Sequence, residues 1–314
     1  MSVIVQELFG FKVLAKVGTG ARSTLYAVQD PRTKQVWALK HVVRQTEKDE
    51  RFIEQVESEY EVMRKLDHPA IRAADSLKKV RKGLLGKVNE VGLVMEFVDA
   101  STLDEDPPST LAKYVSIFSQ VARGLHHMHT KGFVHADMKP TNVMVLGDGG
   151  VKVIDLGQAC PIGTVKKRIQ GTPGYMAPEQ AHREAVTPRT DVYNFGATMY
   201  FSIVGEVIPT ALPPKGGSGL VSSALDASQI KPPVPPHLKV PEVHPILSAI
   251  ILDCVKVLPG DRTESMDRVA QRLDDLALLL EAQPGGVPMQ RHARHARHAE
   301  KSRGSWDEAS ADSE

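Results

Sequence analysis

The sequence predicts an α+β chain in which a strand-rich first part precedes a mostly helical second part, and three observations carry that reading. Residues 11–43 are dense in Val, Leu and aromatics and are punctuated by Gly and by Asp30-Pro31, as short antiparallel strands are. After Asp104 the apolar residues recur at spacings of three and four, the period of a half-buried helix. The 314 residues are 41% hydrophobic and 25% charged, which excludes wholesale disorder and allows one large or two moderate domains.

Taken in order, strands are expected over 11–17, 24–30 and 35–43. From Asp49 to Leu66 the residues Phe52, Val56, Tyr60 and Met63 share one helix face, and Asp67-His68-Pro69 ends that helix. A second strand pair is expected within 72–97. Leu111, Tyr114, Val115, Phe118, Val121, Leu125 and Met128 form one apolar stripe. Prolines crowd between Pro209 and Pro241, predicting an irregular connection, and helical spacing returns over 245–255 and 265–280. Residues 282–314 are expected to be a disordered tail outside the core. Its Arg-His-Ala repeat (291–299) puts three histidines at period three, which do not share a helix face, so a flexible tail is the reading, with a metal or nucleic-acid role as the alternative.

Lys plus Arg number 39 against 38 Asp plus Glu, a net charge of +1, so no nucleic-acid partner is expected. Two cysteines, Cys160 and Cys254, fit a reducing compartment, and a cytoplasmic location is expected. No basic stretch precedes an apolar run at the N-terminus, and the uncharged run Val192–Gly205 is too short to span a bilayer, so no export signal or membrane anchor is expected. Lys78, Lys79, Arg81, Lys82 and Lys87 mark a charged hairpin, read as solvated surface, with docking of an acidic partner as the alternative.

Several motifs carry chemistry together. Gly18-Thr19-Gly20-Ala21-Arg22-Ser23 lies between two predicted strands, where small residues let backbone N–H groups approach phosphates. Lys40 interrupts the apolar strand Trp37-Ala38-Leu39 and needs an anionic partner. Among the glutamates of the next helix only Glu59 shares the face of Val56 and Met63. Asp137, Lys139 and Asn142 fall in the turn-prone stretch His135-Ala136-Asp137-Met138-Lys139-Pro140-Thr141-Asn142, and Asp155-Leu156-Gly157 follows an apolar run. A carboxylate to take a hydroxyl proton, a lysine at the transferred phosphoryl group, and Asn and Asp oxygens for Mg²⁺ are what phosphoryl transfer requires.

With Gly171-Thr172-Pro173-Gly174-Tyr175-Met176-Ala177-Pro178-Glu179 and Asp191-Val192-Tyr193-Asn194-Phe195-Gly196, this ordered set resembles the eukaryotic-type protein kinases, including bacterial serine/threonine kinases, over residues 11–281. The resemblance implies a bilobal protein-kinase-like fold: a β-rich N-lobe (8–98), a hinge near Glu96 to Asp99 and a mostly helical C-lobe (99–281). It implies a serine/threonine kinase that uses ATP and Mg²⁺ on protein substrates and phosphorylates itself; the alternative is a pseudokinase scaffold that binds nucleotide and partners without turnover. The roles it implies are Asp137 as base, Lys139 at the γ-phosphate, Lys40 paired with Glu59, and Asn142 and Asp155 as metal ligands. ATP contacts fall on Val17, Gly18, Thr19, Gly20, Ala21, Leu25, Ala38, Lys40, Met95, Glu96, Val98 and Met144. Met63, Leu156 and His135 match the stack of the active state, and Glu179 with Arg262 a structural ion pair. Ser23 departs from the usual glycine and Leu156 from Phe. Ala136 replaces the arginine that grips a phosphorylated activation loop, so activity without loop phosphorylation is expected, with Thr164 as the one candidate switch site and Thr172 as a partner of the catalytic loop.

Overall fold

The computed structural model describes residues 6–20, 22–81, 87–211, 224–281 and 289. Its contacts divide it into two compact units, residues 1–99 with 155–159, and residues 100–154 with 160–314.

The first unit is built on a six-stranded antiparallel sheet ordered β1-β2-β3-β4-β6-β5, with β1 Glu7–Leu8, β2 Phe11–Thr19, β3 Thr24–Gln29, β4 Val36–Val43, β5 Ala74–Arg81 and β6 Val88–Glu96. Period-two alternation splits β4 between two environments. Leu39 joins Leu8, Phe11, Val28 and Val94 in one apolar cluster, while Ala38, Lys40 and Val42 share the opposite face. Helix α1 (Glu50–Met63) contacts β4, β5 and β6. The 3₁₀ turn Glu47–Asp49 that precedes it is closed by Asp49, whose Oδ2 accepts from the Thr46 backbone N–H at 2.8 Å. The buried residues of α1 are Ile53, Val56, Glu59, Val62 and Met63, so the carboxylate of Glu59 lies on the apolar stripe.

The second unit is largely helical. It contains β7 Ser101–Thr102, α2 Leu111–Thr130, β8 Phe133–Val134, β9 Val143–Val145, β10 Val151–Val153, β11 Cys160–Pro161, α3 Pro178–Ala181, α4 Pro188–Val204, α5 Pro236–Lys239, α6 Pro245–Cys254 and α7 Met266–Glu281. The Thr110 hydroxyl caps α2 by accepting from the Lys113 backbone N–H, and every residue of the predicted apolar stripe is buried on it. From Thr190 onward α4 is buried all round, the mark of a helix enclosed by its neighbours. It packs against α6, and α2 against α7. Gly205, at φ 75°, ends α4 in the left-handed conformation that glycine adopts most readily. Between Pro209 and Pro241 the described residues form only a 3₁₀ turn at Ala227–Gln229 and the four-residue α5. Among the described residues no helix is long and apolar enough to cross a membrane.

Ala21, Lys82, 212–223 and the predicted tail lie outside the described residues, with one exception. Met289 is 9% exposed, and its backbone N–H donates to the Ser109 carbonyl at 2.9 Å. One apolar residue carries no periodicity, so this anchor went unread in a tail expected to add nothing to the core. Cys160 pairs with Val134 in β11–β8 and is buried. The basic hairpin is partly neutralised by α1: Lys79 meets Glu57 at 2.7 Å and Lys87 meets Glu50 at 2.8 Å.

Candidate active site

In the first unit β4 and α1 bring Lys40 and Glu59 together, Nζ to Oε2 at 2.7 Å, with Asp155 Oδ1 at 3.5 Å from the same Nζ. Burial works to strip the proton from Lys40, but Glu59 and Asp155 outweigh it and hold the ammonium above its ordinary range. Burial pushes the Glu59 carboxyl up, opposed by Lys40; the 2.7 Å contact is that of an ion pair. The Asp155 side chain is half exposed, leaving carboxylate surface for a cation. Its backbone is left-handed at φ 59°, a conformation that non-glycine residues keep mainly where the surroundings dictate it. One such support is Gln55, whose Nε2 donates to the Gly157 carbonyl at 2.9 Å.

The glycine-rich turn closes on itself, the Gly20 N–H donating to the Ser23 carbonyl at 2.7 Å. A Cβ on Gly20 would sit 2.8 Å from Ser23 Oγ, whereas one on Gly18 would meet nothing within 4 Å. Gly20, Arg22, Ser23, Lys40, Gln55 and Asp155 are among the residues lining a cavity of about 210 Å³. Val17 to Thr19 lie in β2. Leu25 is half-buried opposite Lys40, and Ala38 is buried opposite the buried Met95. Val98 follows β6. The Glu96 carbonyl accepts from Arg72 Nε at 2.8 Å. Burial lowers the Arg72 pKa, with Glu59, Glu96 and Asp155 working against it.

In the second unit a short turn gathers the remaining groups. Asp137 Oδ1 accepts from the Thr172 hydroxyl at 2.8 Å and Oδ2 from Lys139 Nζ at 3.2 Å, while Lys139 also donates to Thr172 Oγ1 at 3.1 Å. Asn142 Nδ2 donates to the Asp137 carbonyl at 2.9 Å, so Oδ1 is the amide's acceptor atom. Met144 follows in β9. Ala136 is left-handed at φ 61°, held by Asp191, whose two carboxylate oxygens accept from the Ala136 and His135 N–H groups at 2.8 Å each. His129 Nε2 lies 2.8 Å from the same carboxylate. Burial acts to raise the Asp191 pKa, but His129, His135 and the Ala136 amide outweigh it and hold it below 3.8.

Glu179 and Arg262 form a buried bidentate pair at 2.7 and 2.8 Å. Met63 and Leu156 are buried in the first unit, His135 in the second. The Thr164 hydroxyl donates to the Pro161 carbonyl at 2.6 Å. Sequence reasoning missed Gln55, Arg72, Asp191 and Gln180. Asp191 offered a signal, because a carboxylate inside an otherwise apolar helix must find partners.

The family model described as the protein kinase domain matches residues 11–270. A Streptomyces coelicolor protein named as a probable serine/threonine-protein kinase is 31% identical over 285 residues, covering 86% of this chain and 40% of that protein. The serine/threonine-protein kinase PknB of Mycolicibacterium smegmatis is 29% identical over 284 residues, covering 87% and 43% respectively. A Clostridium acetobutylicum protein, named as a probable serine/threonine-protein kinase, is 28% identical over 274 residues, covering 85% and 40%. The chain thus spans about two fifths of the length of the curated relatives it matches. With the motifs in family order and the model matched over most of the chain, this protein belongs to the protein kinase domain family, and the relatives it resembles are bacterial serine/threonine kinases.

Proposed function

We propose that the chain transfers the γ-phosphate of ATP to serine or threonine hydroxyls of protein substrates, itself included, and does so without phosphate on its activation segment. The observation that carries the reading is Asp137, an acceptor-only carboxylate fixed by Thr172 and Lys139. Asp137 takes the proton of the attacking hydroxyl, and Lys139 offsets charge at the transferred phosphoryl group. Lys40, kept protonated by Glu59 and Asp155, binds phosphate oxygens, and Gly18, Thr19, Gly20 and Ala21 are assigned to the phosphates by sequence. Leu25, Ala38 and Met144 are assigned to the adenine, and Val17, Met95, Glu96 and Val98 to the rest of the nucleoside.

Asp155, with a half-exposed carboxylate, and Asn142, with an amide oxygen, are each a hard ligand of the kind Mg²⁺ takes and are assigned to it. Among the described residues no group of three or more His, Cys, Asp or Glu could hold a metal ion, so phosphate and water oxygens would complete its shell. Bound there, Mg²⁺ supplies charge neutralisation to the phosphates. The two cysteines are buried and free, which suits a reducing, cytoplasmic compartment. Incubating the purified chain with labelled ATP, Mg²⁺ and a generic basic protein tests the proposal. Label on serine or threonine is expected; label on tyrosine alone, or none, overturns it.

A further inference from the structure

The carbonyl that precedes the base is held by a side chain outside every catalytic motif. Ala136 O accepts from Gln180 Nε2 at 2.8 Å. Gln180 is 5% exposed and sits in α3 just after Glu179. Its Oε1 accepts from the Ala177 backbone N–H at 3.0 Å and from Asn194 Nδ2 at 2.8 Å, and its Nε2 also reaches the Gln170 carbonyl at 3.5 Å. Two donors face the oxygen and two carbonyls face the nitrogen, so the amide has one acceptable orientation.

Each contact bears on Asp137. The Ala136 carbonyl belongs to the peptide that sets the direction of Asp137, in a backbone whose left-handed φ needs outside support. Gln170 precedes Gly171 and Thr172, and Thr172 holds the Asp137 carboxylate from the other side. A Cβ on Gly171, at φ 128°, would lie 3.4 Å from Gln180 Nε2, so the segment passes close against the amide. One neutral amide thereby ties both the backbone of the base and the segment carrying its side-chain partner to α4 through Asn194. Ala136 has only a methyl group and cannot grip a phosphate.

Resting on the function proposed above, we infer that Gln180 is a positioning residue that assembles the catalytic loop and the activation segment, and that this tie serves where an arginine–phosphate pair would otherwise be needed. Two variants test it. Q180M removes all four contacts. Q180E keeps the two acceptor contacts but can donate, through one O–H to the nearer Ala136 carbonyl, only when its carboxyl is protonated. Q180M is expected to lower kcat by about 10- to 100-fold, the scale of a displaced reacting group, with ADP affinity within about twofold of wild type. For Q180E, the rate relative to wild type is expected to rise as pH falls from 9 to 6, as the buried carboxyl regains its donor. Hydrogen exchange supplies a readout independent of turnover: peptides covering 136–142 and 170–176 should lose protection about tenfold in both variants, with α6 and α7 unchanged. Wild-type kcat in Q180M, a pH-independent deficit in Q180E, or unchanged exchange in both peptides overturns the inference. If Q180M fails to fold, Q180E decides it. A wild-type chain without turnover refutes the proposed function instead, and the exchange data still decide the role of Gln180.

Discussion

At the scale of single residues, the site depends on buried polar groups that several partners hold at once. Asp191 is the clearest case, a fully buried carboxylate held ionised by His129, His135 and the Ala136 amide. Because its folded pKa lies below the ordinary 3.8, the stability it contributes is complete above that value and is lost as pH falls through the lower folded value. Urea midpoints of wild type and Asp191→Asn should therefore differ most above the ordinary 3.8 and converge only as pH falls through the lower folded value; a constant gap would show that ionisation of Asp191 is not what stabilises. A second contrast separates two threonines. The Thr164 hydroxyl donates to the Pro161 carbonyl on its own loop, whereas the Thr172 hydroxyl bridges Asp137 and Lys139. Thr164→Ala should keep near-wild-type initial rates on a peptide substrate and Thr172→Ala should lose most activity. A fall of tenfold or more in Thr164→Ala, about 1.4 kcal/mol of barrier, would mean that loop phosphorylation matters.

At the scale of elements, the long helices and the five longer strands of the sheet were legible because each carries many residues of one period, whereas the two-residue β1 was not. Helix α1 is such a case, and its one polar residue on the apolar stripe, Glu59, could be singled out by spacing alone. Short elements were not legible: β11 has two residues and α3 four, too few to show a period, and Gln180 sits in one of them. The bonds of Gln180 run to residues 10, 14 and 44 positions away, a relation no local pattern encodes. Packing within the second unit gives a further test. A Cβ on Gly196 of α4 would fall 2.5 Å from Cys254 Cβ and 2.8 Å from Val255 Cγ1, neither of which is the free end of a long side chain. Gly196→Ala should destabilise by about 1–3 kcal/mol, seen as a melting temperature several degrees lower; an unchanged melting curve would show that α4 and α6 separate without cost.

At the scale of the whole molecule, the residues proposed for phosphoryl transfer fall in two compact units, with Lys40, Glu59 and Asp155 in one and Asp137, Lys139 and Asn142 in the other. The second unit is also fastened by Met289 at Ser109, so truncations should differ: removing 290–314 should leave the melting temperature within about a degree, while removing 282–314 exposes the surface Met289 covers and should cost up to about 3 kcal/mol. Equal melting temperatures for the two truncations would contradict that anchor. The central claim, that Asp137 is the base of an ATP-dependent kinase, is met most directly by comparing the kcat and nucleotide affinity of Asp137→Asn with wild type. The account predicts an unchanged melting curve and ADP affinity with kcat lower by about 10²–10⁴-fold; a folded Asp137→Asn protein turning over at the wild-type rate would contradict it.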